Sequence, residues 1–149
     1  RRGDSENADK WTGWKLGNLR PLFEPILWFM KPYPIGGTLT DNIMLYDVGG
    51  YNEEYFKQNP LNNTGIEVCS NIIKCKSSRN DRGLHPAQKP VALMEFLINL
   101  TTLEGQVVLD PFCGCGSTLV AAQNLNREYI GIEVNAEYCK IISERLNKK

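Results

Sequence analysis

The run Asp110-Pro111-Phe112-Cys113-Gly114-Cys115-Gly116-Ser117-Thr118 places an acid, two closely spaced glycines and two hydroxyl residues in nine positions. Such a set suits ligand binding by backbone. Gly114 and Gly116 let the chain turn sharply and let a ligand approach closely. A helix beginning at Ser117 would point free N–H groups and the positive end of its dipole at the same spot. A second acid, Glu133, follows Gly116 by 17 residues. A carboxylate there can accept two hydrogen bonds from ribose hydroxyls. A lone Gly-x-Gly is often only a tight turn, but the two acids flanking it point to an adenosine-type ligand. A dinucleotide site would want G-x-G-x-x-G, and the third position is Leu119. A cofactor with adenosine and ribose but no phosphate fits better, and S-adenosylmethionine is the obvious one.

These residues need elements to hold them. Gln106 to Asp110 is a short apolar run ending in an acid, predicted as a buried strand. A helix is predicted from Ser117 to about Asn126, and a second strand from Glu128 to Glu133. Asn135 can cap a last helix, in which Tyr138, Ile141, Ile142 and Arg145 share a face with Leu146 beside it. Upstream, Pro90 suits a helix start, because its missing N–H costs nothing there. Leu93, Phe96, Leu97 and Leu100 then recur at helical spacing. The order helix, strand, helix, strand, helix contains a βαβ unit and implies an α/β fold: a parallel sheet flanked by helices. The chain divides at about residue 84. Residues 1–84 are predicted as an irregular segment rich in turn residues. In it, residues 26–30 read as a buried strand closed by Lys31-Pro32, and residues 33–64 as loops with short strands, one at Ile43 to Tyr46.

At 149 residues, 42% hydrophobic and 23% charged, the composition is that of an ordinary globular domain. No apolar run approaches the roughly 18 residues that span a bilayer, and no secretory signal opens the sequence. The first residue is Arg1, not Met, so the numbering is expected to begin inside a longer protein. Lysine plus arginine and aspartate plus glutamate are each 17, giving a formal charge of zero. That balance offers no general argument for nucleic acid, although a local basic patch can still carry phosphate contacts. Residues 70–84 hold Lys74, Lys76, Arg79 and Arg82 against Asp81 alone, and by themselves read as a solvated loop. Five cysteines at irregular spacing fit a reducing cytoplasm. Cys113 and Cys115 lack two further ligands at metal spacing, and no metal site is expected.

Three of these segments, in this order, resemble a known family. His85-Pro86-Ala87-Gln88-Lys89-Pro90, the run from Leu109 to Thr118, and Arg127 to Glu133 with Glu137-Tyr138 are similar to the C-terminal half of prokaryotic and phage DNA methyltransferases. Those enzymes make N6-methyladenine or N4-methylcytosine, and the likeness is to the permuted class, whose cofactor motif lies downstream of its catalytic loop. Leu22 to Phe29 with Lys31-Pro32, and Gly49 to Asn52, resemble upstream parts more loosely. The resemblance implies a Rossmann-like S-adenosylmethionine-dependent methyltransferase sheet, with residues 85–149 as its cofactor-binding half. It gives Asp110 the cofactor's ammonium group. Pro111, Phe112, Gly114 and Gly116 become the loop wall, Ser117 the helix start near the carboxylate, and Glu133 the ribose ligand. His85, Lys89 and Pro90 would close the methionine end. Target recognition falls before His85 in this class, which makes Lys74, Lys76, Arg79 and Arg82 candidate phosphate contacts on double-stranded DNA.

The family's catalytic loop, [DNS]-P-P-[YFW], has no counterpart, since the sequence contains no Pro-Pro. No catalytic residue is therefore expected in this chain. The loop is expected from a missing N-terminal part or a partner subunit, in a cytoplasmic prokaryotic or phage enzyme. Two other readings compete: the dinucleotide-binding domain of an oxidoreductase, and a non-catalytic DNA-binding module.

Overall fold

The computed structural model describes residues 10, 12–13, 23–62, 70–76 and 83–147. The chain falls into two units, Arg1–Met30 and Lys31–Lys149. In the first, residues 23–30 form neither helix nor strand, and Phe23, Leu27 and Phe29 are exposed. The buried strand expected at 26–30 is therefore absent. Apolar residues favour a strand only where a neighbouring strand completes the hydrogen-bond ladder, and none among the described residues pairs with this segment.

In the second unit, the predicted strand at Ile43 to Tyr46 is instead a helix, α1 (Leu39–Tyr46). Its N-terminus explains the difference. The Asp41 N–H donates to Thr38 Oγ1 at 3.2 Å, and the Thr38 N–H donates to Asp41 Oδ2 at 2.8 Å. This reciprocal cap satisfies donors that a helix start otherwise leaves open. A second short helix, α2 (Glu53–Gln58), starts at Asn52, whose Oδ1 accepts from the Tyr55 N–H at 2.9 Å. A single 3₁₀ turn follows at Pro60–Asn62. Residues 33–62 therefore carry helices where short strands were expected over 33–64; residues 63 and 64 lie outside the described residues.

The regular part follows the sequence closely. α3 (Val91–Thr101) begins directly after Pro90. β1 (Val107–Asp110), α4 (Ser117–Asn124), β2 (Glu128–Gly131) and α5 (Ala136–Leu146) complete the unit. The strands are parallel, with Val107 opposite Glu128 and Asp110 opposite Gly131. Parallel neighbours need a crossover connection, and α4 provides it. α3 is buried on two sides. Phe96 and Leu100 pack with Phe56 of α2, the Phe56 and Phe96 rings meeting edge-on at 5.3 Å. Ile98 packs with Ala121 and Ala122 of α4, and Val108 and Tyr129 of the strands close the same cluster. The helical spacing singled out only the first of these sides.

Arg127 ties α3 to β2. Its Nη2 donates to Thr102 O at 2.8 Å and Asn99 Oδ1 at 3.2 Å, and its Nε donates to Thr102 Oγ1 at 3.2 Å. The other sheet face is bare among the described residues: Val107, Leu109, Ile130 and Ile132 are each more than half exposed. No helix among the described residues is long and apolar enough to cross a membrane.

Candidate functional site

The ends of both strands and the start of α4 converge on one loop, residues 111–116. Asp110 closes β1, and its Oδ1 accepts from the Phe112 N–H at 3.1 Å. The loop is then laced to β2. The Cys113 N–H donates to Ile132 O at 3.0 Å, and the Gly116 N–H to Cys113 O at 2.7 Å. The Gly114 N–H donates to Glu133 Oε2 at 2.9 Å, while Glu133 Oε1 accepts from the Asn135 N–H at 2.8 Å. Glu133 thus braces the loop and the start of α5. Each carboxylate oxygen keeps a second lone pair, so the group can still accept from a ligand.

The glycines are required by geometry. Gly114 and Gly116 have φ of 53° and 78°, in the left-handed region. A Cβ on Gly116 would stand 2.9 Å from Ile142 Cγ1 of α5, and one on Gly114 would rest 3.5 Å from the His85 ring. The third dinucleotide glycine is replaced here by Leu119, which is buried. Gly131 of β2 supplies the room: a Cβ there would overlap Leu119 Cδ1. Helix and strand still approach closely, with the small residue moved from the helix to the strand.

α4 opens toward this loop. Its first intrahelical bond runs from the Val120 N–H to Gly116 O at 3.0 Å. The N–H groups of Ser117, Thr118 and Leu119 therefore have no partner within the helix. Arg145 of α5 backs the loop from behind. Its Nη1 donates to Cys115 O at 2.7 Å and to Ser117 Oγ at 3.4 Å. His85 packs against Tyr138 of α5, ring centres 4.6 Å apart, and its Nδ1 accepts from the Ala87 N–H at 3.1 Å. Burial pushes the Cys113 thiol above its ordinary range, and the Asp110 carboxylate adds to the effect. Cys113 is therefore held as a thiol, a poor nucleophile and a poor metal ligand. No group of His, Cys, Asp and Glu among the described residues could hold a metal ion.

A cavity of about 260 Å³ lies in front of the loop. Its wall includes His85, Lys89, Asp110, Phe112, Gly114 and Ser117 from the sequence-predicted set, with Ala87, Gln88, Cys113, Cys115 and Thr118. Pro111, Gly116 and Glu133 shape the loop without forming the wall, and Pro90 caps α3. Lys74 and Lys76 are exposed, while Arg79 and Arg82 lie outside the described residues. Among the residues joined to the site but not singled out for it are Gln88 in the wall, Tyr138 against His85, and Arg145 behind the loop. Arg145 follows Tyr138 by two helical turns, a spacing visible in the sequence. Its carbonyl partner on Cys115 is not.

A glycine loop between a parallel strand and a helix, with an acid just beyond the next strand, is the arrangement at which Rossmann-like α/β sheets bind their cofactors. Comparison with known proteins narrows that class. The family model described as DNA methylase, for N6 and N4 methyltransferases, matches residues 4–144, and the chain belongs to that family. It is similar to the type II methyltransferase M.HindIII of Haemophilus influenzae, with 50% identity over 98% of this chain and 47% of the relative. It also resembles the type II methyltransferase M2.LlaDCHI of Lactococcus lactis subsp. cremoris, with 47% identity over 49% of this chain and 27% of that protein. The chain thus spans about half the length of the first relative and about a quarter of the second. Among solved structures, the cytosine-N4-specific PvuII DNA methyltransferase aligns with a TM-score of 0.55 at 21% identity, over 67% of this chain and 37% of that one. That likeness establishes the α/β methyltransferase fold.

Proposed function

We propose that this chain is the cofactor-binding part of a DNA methyltransferase. The enzyme would transfer a methyl group from S-adenosylmethionine to the exocyclic amino group of adenine or cytosine in double-stranded DNA. The observation that carries the reading is the β1–loop–α4 corner with Glu133 at its edge, within a family match that spans the corner. The donors and acceptors suit the cofactor. Asp110 offers a carboxylate to the ammonium group, the open N–H groups of α4 face an anion, and Glu133 keeps lone pairs for ribose hydroxyls. When bound, the cofactor supplies an electrophilic methyl on a sulfonium. This chain's own work is to bind and orient it, and such positioning is where most of the acceleration arises. His85 and Phe112 would bound the pocket, and Arg145 would keep the loop in register.

On this reading the target base is flipped into the pocket. The residues that grip its amino group come from polypeptide outside this sequence. Lys74, Lys76, Arg79 and Arg82 would contact phosphate. Neutralising all four should flatten the salt dependence of DNA binding, and an unchanged slope would remove them from the interface.

Thermal unfolding of the intact protein with S-adenosylmethionine or NAD tests the cofactor, because a ligand bound only by the folded state raises its stability. S-adenosylmethionine should raise the midpoint and NAD should not. A rise with NAD alone would return the site to the oxidoreductase reading.

A further inference from the structure

The cavity has two walls, from different parts of the chain. Residues 85–89 supply one and residues 110–118 the other. The first is a turn whose hydrogen bonds close on itself. The Gln88 N–H donates to His85 O at 3.1 Å, the Leu84 N–H to Gln88 Oε1 at 3.3 Å, and the Ala87 N–H to His85 Nδ1 at 3.1 Å. These bonds shape the turn and pin the His85 ring to it, but they tie it to no other element. The ring makes that tie. It covers Gly114 of the opposite wall, 3.5 Å from where a Cβ would stand, and it meets the Tyr138 ring at 65° with centres 4.6 Å apart. An edge-on aromatic pair has a preferred distance and tilt, so Tyr138 fixes where the turn stands.

Tyr138 belongs to α5, and among the described residues none of α5 lines the cavity. Yet the same helix holds the other wall. Tyr138, Ile142 and Arg145 recur at i, i+4 and i+7, which is one face of a helix. Ile142 fills the space beside Gly116, and Arg145 Nη1 donates to Cys115 O at 2.7 Å. One face of α5 therefore touches both walls, and a helix outside the cavity sets their spacing. In the cofactor reading above, on which this inference rests, that spacing decides how well the ligand is gripped. We propose that Tyr138 is a positioning residue: it acts through the His85 ring to hold the two walls at the separation the cofactor needs, without touching the cofactor itself.

The test is calorimetric titration of the intact protein with S-adenosylmethionine, in a double-mutant cycle. Tyr138→Leu keeps apolar bulk and removes the ring. It should weaken binding roughly threefold to tenfold, the weight of one aromatic pair. Tyr138→Phe keeps the ring and should stay within about 1.5-fold of wild type. On a His85→Ala background, Tyr138→Leu should have no further effect, because its route to the cavity is gone. A residue that merely packs α5 would instead lower affinity equally on both backgrounds. In the wild-type protein, cross-relaxation between the His85 and Tyr138 ring protons should persist when S-adenosylmethionine is added, a readout that needs no variant to fold. Full affinity in Tyr138→Leu, equal loss on both backgrounds, or a ring contact that the ligand abolishes would each overturn the proposal. A wild-type protein that does not bind S-adenosylmethionine would refute the cofactor reading itself, and this inference with it.

Discussion

Replacing Gly116 by alanine should loosen the cofactor corner from both ends of one residue. The backbone there has φ of 78°, and holding a residue with a Cβ in that region costs about 1–2 kcal/mol. The new methyl would also stand 2.9 Å from Ile142 Cγ1. That atom is a branch close to the α5 backbone, not the free tip of a long side chain, so it cannot swing aside cheaply. Overpacking of this kind costs about 1–3 kcal/mol, and the sum is about 2–5 kcal/mol. Urea unfolding of the intact protein reads the total. Ile142→Ala placed on the Gly116→Ala background separates the two parts. It should recover the steric share, seen as a favourable coupling energy in the double-mutant cycle, and leave the backbone share. A stability within about 0.5 kcal/mol of wild type for Gly116→Ala, the usual range for neutral surface changes, would refute the reasoning. A cycle without coupling would refute the steric half alone.

Three further outcomes are expected. Arg127→Leu leaves Thr102 O and Asn99 Oδ1 without their charged donor, which should cost about 2–3 kcal/mol and lower the thermal midpoint; an unchanged midpoint would show that the clamp contributes nothing. Hydrogen bonds from the Thr38 hydroxyl and N–H hold the Asp41 carboxyl below its ordinary value of 3.8. Because the folded-state value is the lower one, this cap's support for α1 is present above 3.8 and is lost as pH falls through the folded value. The Thr38 amide should accordingly lose its hydrogen-exchange protection only in that acid range, and loss at neutral pH would be contrary. Iodoacetamide should label exposed Cys139 well before buried Cys113, whose thiol stays protonated; equal rates would contradict the closed loop.

The regular half of the unit was legible because its signals are local. Val107–Asp110 and Glu128–Gly131 are short apolar runs bounded by polar or turn residues, and the predicted strands overlap both. Pro90 and Asn135 mark the starts of α3 and α5, and the Asn135 side chain accepts from the Glu137 N–H at 2.8 Å as a cap should. β2 ends two residues before the predicted Glu133 because the loop takes over its bonding, the Cys113 N–H reaching Ile132 O. Residues 26–30 and 43–46 were misread for a shared reason. Each is apolar enough for a strand, but strand formation depends on a partner elsewhere in the chain, whereas the Thr38–Asp41 cap acts within one turn. Thr38 and Asp41 stand three residues apart in the sequence, a cap signal that the strand expectation did not use.

The sequence by itself determined the chemistry on offer at the corner: an acid, a glycine turn, a helix start and a second acid, in that order. Spacing is enough for this, since β1, its loop, α4 and the pairing strand β2 follow one another directly, so even the partner that β1 needs is close in sequence. Only the tertiary structure decided how the pieces are shared. Glu133 spends one hydrogen bond from each oxygen on backbone N–H groups, Arg145 reaches back from α5 to a loop carbonyl, and Gln88 is left with a buried amide facing no acceptor. Which donor meets which acceptor depends on contacts between residues far apart in sequence. Such partners are set by the packing of α3, α4 and α5 around the strands, and no local pattern encodes that packing.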